Sequence, residues 1–347
     1  MTKSGRALLS VLVVSLATLL PGCGWIDADL SDCGHEYSID YELRLVTNVT
    51  TELQTDLNLV SDLHVQEELS NYLDGIFTDF AHDVDLSFYD VVGDSVRLSH
   101  ERHIMDASES SYTLYLPVHD YMHTAVANLL DTPGVTLEND ERCHPAILHQ
   151  QAADTLDSHA TGLFTARLPM EILHGVDQTF DVKLYMANCA ASLVADTLGS
   201  GIKDLQVYMS GFATDFSICD SLYHFRGSPV FRTEKLALEE GSKECFVSVN
   251  FPSRDPYGTK TTIETTDPFI APYSYEALWK VDILATLPNG TIVRTELGIH
   301  RPLRAGQFEI LRVGVRPDGA ADPLYETSTG VSVAIDWNYG HVQEIPL

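Results

Sequence analysis

The sequence predicts an all-β protein of β-sandwich type, in two tandem domains, with a short helix in the first. Three observations carry this. Apolar residues alternate with polar ones in run after run, turn residues separate the runs, and only one stretch has helical spacing. The 347 residues, less a 22-residue export signal, leave room for two domains of ordinary size. A hydrophobic content of 44%, with 13 Phe and 15 Tyr, is ample for packed cores and excludes a disordered chain.

In chain order, Ile39, Tyr41, Leu43 and Leu45 alternate with Asp40, Glu42 and Arg44, the pattern of a half-buried strand. Ser61 is a helix N-cap before Leu63, Leu69, Tyr72, Leu73 and Ile76, which share one helical face expected to pack on a sheet. Val84, Leu86 and Phe88 alternate with Asp85 and Ser87, and Tyr112 to Leu116, closed by Pro117, reads as another strand. Tyr121 to Leu129 is apolar throughout and suits a central strand covered on both faces. Residues 130–160 read as a long loop with one short helix, and Leu163 to Leu168 as the last strand of the first half. The rhythm restarts with Phe180, Val182, Leu184 and Met186, then Leu205, Val207 and Met209, then Val247, Val249 and Phe251. Trp279, Val281 and Ile283 lead into Pro288-Asn289-Gly290 and then Ile292 and Val293, a strong hairpin signal. Ile310 to Val315 and Val331 to Trp337 close the chain. The expected division is a signal at 1–22, a tether at 23–35, and domains at 36–170 and 171–347.

The first 22 residues have the three parts of an export signal. Lys3 and Arg6 form a positive start, and Ala7 to Leu20 is a 14-residue apolar run, too short to span a bilayer. A buried helix would explain the run, but not the charged start and small-residue stop around it. Leu20-Pro21-Gly22-Cys23 resembles the bacterial lipobox, with Pro21 an unusual member. The resemblance implies cleavage between Gly22 and Cys23 and diacylglyceryl modification of the Cys23 thiol. More than one acyl chain gives durable membrane attachment. The alternative is an ordinary cut near Gly22 or Gly24, leaving Cys23 a plain thiol. The following Gly24 to Asp32 is acidic, which fits either a solvated linker or the surface-export signals of Bacteroides-type lipoproteins.

Removing the signal takes away Lys3 and Arg6 and no acid, so the net charge falls from −29 to −31. Such a charge repels phosphate backbones and excludes nucleic acid as a natural partner. Beyond Cys23 five cysteines remain, Cys33, Cys143, Cys189, Cys219 and Cys245. An exported chain can form disulfides, an odd number leaves one thiol over, and the sequence does not choose among pairings.

The search for chemistry finds no catalytic constellation, cofactor or small-molecule substrate. There is no GxSxG, P-loop or GxGxxG, no CxxC, and no zinc-ligand spacing. His100-Glu101-Arg102-His103 places its second His one residue too early for a zinc-protease helix and reads as a solvated loop. Asp79, Asp83 and Asp85 lack the spacing of a calcium loop and read as an acidic solvent face. Asp94-Ser95-Val96, Asp154-Thr155-Leu156, Asp196-Thr197-Leu198 and Asp220-Ser221-Leu222 fit an O-glycosylation signal of the Bacteroides group. Chance in an Asp-rich chain explains them equally well.

These features converge on a resemblance. The lipobox, acidic tether and Asp32-Cys33, the runs Ile39 to Val49 and Ile76 to Tyr89, Leu114-Tyr115-Leu116-Pro117, and the closing Val333 to Trp337 are similar to the FimB-type family of fimbrial anchor lipoproteins of Bacteroidales. The family implies two tandem transthyretin-like β-sandwiches, an outer-membrane location through the lipid, and fimbrial stalk subunits as partners. It implies a role holding the filament base and limiting its length, with no enzymatic activity. Stalk subunits of this kind polymerise by strand addition after an arginine-specific protease removes an N-terminal strand. Here no Lys or Arg lies between Cys23 and Arg44, and the next is Arg97. Cutting at Arg44 would release the body from its lipid, which favours anchor over stalk. Val331 to Leu347, apolar and alternating, reads either as a strand donated to the first stalk subunit or as an internal edge strand of the second sandwich. The rival function is a glycan-binding surface lipoprotein, for which Trp25, Trp279 and Trp337 are a meagre stacking surface.

Overall fold

A computed structural model describes residues 36–46, 63–76, 81–104, 111–151, 153–238, 242–256, 276–324 and 331–341. In chain order the first half contributes β1 (Glu36–Val46), α1 (Leu63–Ile76), β2 (Asp83–Asp90), β3 (Arg97–Ile104), β4 (Ser111–Pro117), β5 (Asp120–Ala127), β6 (Val135–Glu138), β7 (Ile147–Gln150), β8 (Thr155–Asp157), β9 (Phe164–Glu171) and β10 (Gln178–Met186). The second contributes β11 (Cys189–Asp196), β12 (Asp204–Ser210), β13 (Asp215–Ser217), β14 (Leu222–His224), β15 (Val230–Arg232), β16 (Glu234–Leu236), β17 (Lys243–Asn250), β18 (Trp279–Thr286), β19 (Thr291–Ile299), β20 (Phe308–Val315), β21 (Ala321–Pro323) and β22 (Val331–His341).

These strands form two sandwiches. The first pairs a seven-stranded sheet, ordered β3-β2-β5-β9-β10-β1-β4, with a four-stranded sheet, β14-β13-β7-β6. Val126 on one face of β5 packs with Leu148, Phe216 and Ile218 of the smaller sheet, while its neighbours Ala125 and Ala127 face the opposite core. The second sandwich pairs a five-stranded sheet, β16-β17-β11-β20-β21, with a six-stranded one, β22-β19-β18-β12-β15-β8. Ala191, Leu193, Leu311 and Val313 meet Val207, Val281, Ile283 and Leu297 in its core. The sandwiches exchange elements across residue 170, since β10 returns to the first sheet and β8 pairs with β15 in the second sandwich.

The helix joins the two. Val65, Leu69, Leu73 and Ile76 of α1 are buried in one apolar core with Leu86 and Phe88 of the seven-stranded sheet and Val194, Val247 and Ile310 of the five-stranded sheet. Each such side chain stabilises the fold by roughly 1.5–3 kcal/mol relative to exposure. The Tyr72 hydroxyl adds a hydrogen bond to Glu234 of β16, at 2.7 Å. Leu63, expected on the apolar face, is exposed, and Val65 takes that role at helical spacing from Leu69 and Leu73. The proposed cap Ser61 lies outside the described residues.

With α1 on one side and the six-stranded sheet on the other, the five-stranded sheet is covered on both faces. This explains β11, whose run of small and aliphatic residues shows no alternation and is almost wholly buried. Parallel pairing of β11 with β20, and of β1 with β10, accompanies this burial. The loop expected at 130–160 is corrected, because three short strands, β6, β7 and β8, lie there. Each is three or four residues long, too short for its period to show. The Asn-Gly hairpin is present, with β18 and β19 antiparallel from Thr286 and Ile292 outward and Gly290 at φ 82° in the turn.

Candidate assembly surface

Gly22 and Cys23, the expected cleavage and lipidation residues, and Cys33 and Asp79 lie outside the described residues. The remaining acids are placed differently from expectation. Asp83 and Asp85 are both 2% exposed and form no solvent face. They lie on β2, which sits between β3 and β5 with both faces covered. Asp85 accepts hydrogen bonds from Arg102, at 2.7 Å, and contacts His100, at 2.9 Å. His100 to His103 is thus no loop but part of the edge strand β3, where His100 and Arg102 share the face that carries Asp85 and Glu101 pairs with His103 on the other. Asp83 accepts from the Leu130 amide at 3.1 Å, and its burial raises its pKa.

The small sheet has a similar polar device. Asp215, fully buried, contacts His149 and Arg226 and accepts from the Thr214 hydroxyl at 3.2 Å. Cys143 and Cys219 form a disulfide beside this sheet, and Cys189 and Cys245 are buried free thiols. Burial pushes both of those thiols up, Cys245 to about 12, so neither is a nucleophile at neutral pH. Among the described residues no group of His, Cys, Asp and Glu is arranged to hold a metal ion.

The last strand has the features of a contact surface. β22 pairs antiparallel with β19 over its length, with a bulge at Ile292/Arg294, and occupies the edge of the six-stranded sheet. Paired residues share a face. Val331, Val333 and Ile335 therefore lie on the side of Ile299, Leu297 and Thr295, which is the core side. Yet Val333 is 41% exposed, and Trp337 and Tyr339 are 47% and 50% exposed. The cause is in the facing sheet, whose edge on that side is β21, only three residues long. The Trp337 side chain reaches Asp318 in the β20–β21 turn, and the Arg294 guanidinium lies 5.6 Å from the Tyr339 ring. Gly298, opposite Ser332, leaves the room that lets β22 lie close, since a Cβ there would meet the Ser332 hydroxyl at 2.5 Å. The result is an 11-residue edge strand that, among the described residues, has no strand on its outer side and carries an apolar strip that none of them covers. Alternation at Val331 to Trp337 was legible, but exposure of the strip was not, because it depends on the shortness of β21.

This architecture has relatives among solved structures. A candidate adhesin from Bacteroides ovatus superposes with a TM-score of 0.53 at 10% identity, over 86% of this chain and 96% of that one. The chain shares that fold. The fimbrial anchor protein Mfa2 from Porphyromonas gingivalis aligns over 87% of this chain and 98% of its own, at 9% identity and a TM-score of 0.46. The tip fimbrial protein Mfa3 from the same organism, C-terminally truncated, aligns over 86% and 99%, at 11% and 0.38. At 10% identity the likeness to the Bacteroides ovatus protein is one of fold alone. No family model and no curated protein matches the chain.

Proposed function

We propose that this chain is an outer-membrane lipoprotein, attached through acylated Cys23, that anchors a fimbria or serves as its accessory subunit. It holds the filament base by strand-mediated contact with a stalk subunit and so limits filament length. The observation that carries the contact is β22, an edge strand with no partner on its outer side among the described residues and with exposed Val333, Trp337 and Tyr339. A free edge of this length is a template for an added strand, and soluble proteins ordinarily blunt such edges with charge or proline. The lack of Lys and Arg between Cys23 and Arg44 supports an anchor that keeps its N-terminal strand, and β1 lies inside the seven-stranded sheet between β10 and β4. Donation of Val331 to Leu347 to a stalk would require stripping β22 from β19. Reception of a strand beside β22 requires no such loss.

The test has two parts. Replacing Cys23 with Ala in the native host is expected to release both the protein and its filaments into the medium. If the protein is released while filaments are absent or unchanged, the fimbrial reading fails and only the lipoprotein reading survives. Replacing Val333 and Trp337 together with Lys is expected to reduce capture of stalk subunits about tenfold or more, which is about 1.4 kcal/mol. Surface level and thermal unfolding should stay near those of the parent, because both positions are exposed. Undiminished capture would remove β22 as the contact.

A further inference from the structure

One end of the seven-stranded sheet gathers three turns. Asp90 closes β2 opposite Tyr121, and Asp120 opens β5 opposite Glu171 at the close of β9. The Asp90 carboxylate accepts from the Val92 amide at 2.8 Å and contacts His119 Nε2 at 3.1 Å, which ties the β2–β3 turn to the β4–β5 turn. The Ile172 amide donates to the His119 carbonyl at 2.9 Å, and this adds the β9–β10 turn. The tips of all three carry aliphatic side chains that stand in solvent. Val91, Val92, Val118, Leu173 and Val176 are each between 43% and 73% exposed.

A lone exposed aliphatic needs no explanation, but a group of them on adjoining turns does. Two observations bear on what covers this group. The first is that β1 starts at the same end, with Glu36 opposite Pro117 and Ile39 opposite Gln178. Cys23 lies thirteen residues before Glu36, a length of chain that spans at most about 45 Å. An acyl group on Cys23 therefore tethers the chain by this end. The second is composition, since residues 90–96, 117–120 and 171–178 hold no Trp, Tyr, Phe, Arg or Lys. Protein–protein hot spots are built chiefly on Trp, Tyr and Arg, so short aliphatics alone suit hydrocarbon better than a protein partner.

We propose that this end of the first sandwich rests on a lipid surface, with Val91, Val92, Val118, Leu173 and Val176 reaching the headgroup–acyl boundary. The proposal rests on the reading that Cys23 anchors the chain to a membrane. Five small side chains bind a bilayer only weakly from solution. The tether supplies the effective concentration that makes so weak a contact count. Asp94, Asp120, Glu171 and Asp177 are exposed around the tips, so the lipid that suits them is zwitterionic and not anionic. Such a contact fixes how the body stands on the membrane, and so the direction in which β22 is presented, where a tether alone would let it swing.

The test couples the mature chain, residues 23–347 carrying Cys33→Ser, through Cys23 to a maleimide lipid in vesicles of phosphatidylcholine and phosphatidylethanolamine. Cys143 and Cys219 are bridged and Cys189 and Cys245 are buried, so Cys23 is the thiol that reacts. Amide hydrogen exchange is compared with that of the same chain, its thiol capped, in solution. Exchange at residues 91–94, 118–119 and 173–176 is expected to slow about threefold or more on the vesicles, with the β18–β19 and β20–β21 turns unchanged. Replacing part of the phosphatidylcholine with phosphatidylglycerol should reduce the slowing. Val92→Asp combined with Leu173→Asp should abolish it at an unchanged melting temperature, because both side chains are exposed. Unslowed exchange at these turns in the coupled parent would overturn the proposal, as would slowing that survives the double variant. Slowing that appears in solution as protein concentration rises would assign the surface to a second copy, and overturn it too. Retention of the Cys23→Ala chain on cells would sink the anchor reading separately, since the coupled chain needs no acylation.

Discussion

Acidification from about pH 6 to about pH 4 is expected to remove up to roughly 5 kcal/mol of folding stability through two buried histidines. His123 on β5 is fully buried, stacked on Phe88 with centroids 4.3 Å apart and hydrogen-bonded through Nδ1 to the Ser87 carbonyl. Burial lowers its pKa to about 3, the carbonyl contact opposing only in part, and burial lowers His159 to about 4. In the unfolded chain both return to about 6.5. Above that value both states are neutral and the full stability is present. As pH falls below it the unfolded chain takes up protons that the folded chain refuses, and each residue costs about 1.4 kcal/mol per pH unit until its folded pKa is reached. Asp83 and Asp282, raised by burial, act in the opposite sense at the acid end of this window. Urea midpoints measured across the range should fall steadily in the parent. They should fall about half as steeply in His159→Phe. Flat midpoints down to pH 4 would show that neither ring stays buried and neutral.

These two residues also mark where reading the sequence ended. Strand periodicity identified β1, β2, β10, β12, β17, β18 and β22, each long enough to show its period of two, while β4, β5, β9 and β20 were read from short or continuous apolar runs. The helix was legible from Leu69, Leu73 and Ile76, and the hairpin from Asn289-Gly290. What failed was the environment of polar residues. Asp85 looks like an ordinary outward position of an amphipathic strand, and it is buried because a second layer covers the face it occupies. Asn128 and Asn188 are further cases. Each is fully buried with its amide bridging backbone groups, Asn128 from His82 to Gly162 and Asn188 from Leu163 to Thr161. Layer assignment depends on contacts between distant segments, so no local window contains it. The same holds for the strip on β22. Cys23 was argued from its local context alone and remains a proposal.

Loss of the Cys143–Cys219 bridge is expected to cost about 4 kcal/mol, the chain entropy released by opening a loop of this size. The two cysteines are 76 residues apart. They meet because β7 and β13 pair antiparallel, with Ile147 opposite Ser217 and His149 opposite Asp215, which brings an early segment and a late one into the same small sheet. Both sulfurs are buried beside Tyr89 and Met122, the Cys143 amide donates to the Ser95 carbonyl, and Arg167 donates to the Cys219 carbonyl. The sheet is thin, two of its strands being only three residues long, so few other contacts oppose its separation. A bridge of this kind fits the oxidising compartment that the proposed export would provide. Replacing both cysteines with Ala should lower the urea midpoint accordingly, and hydrogen exchange should quicken first in β6, β7, β13 and β14. The buried thiols Cys189 and Cys245 should resist alkylation in the native parent and react once it is unfolded. A double variant as stable as the parent, with unchanged exchange in these strands, would mean that backbone pairing alone holds the two segments together.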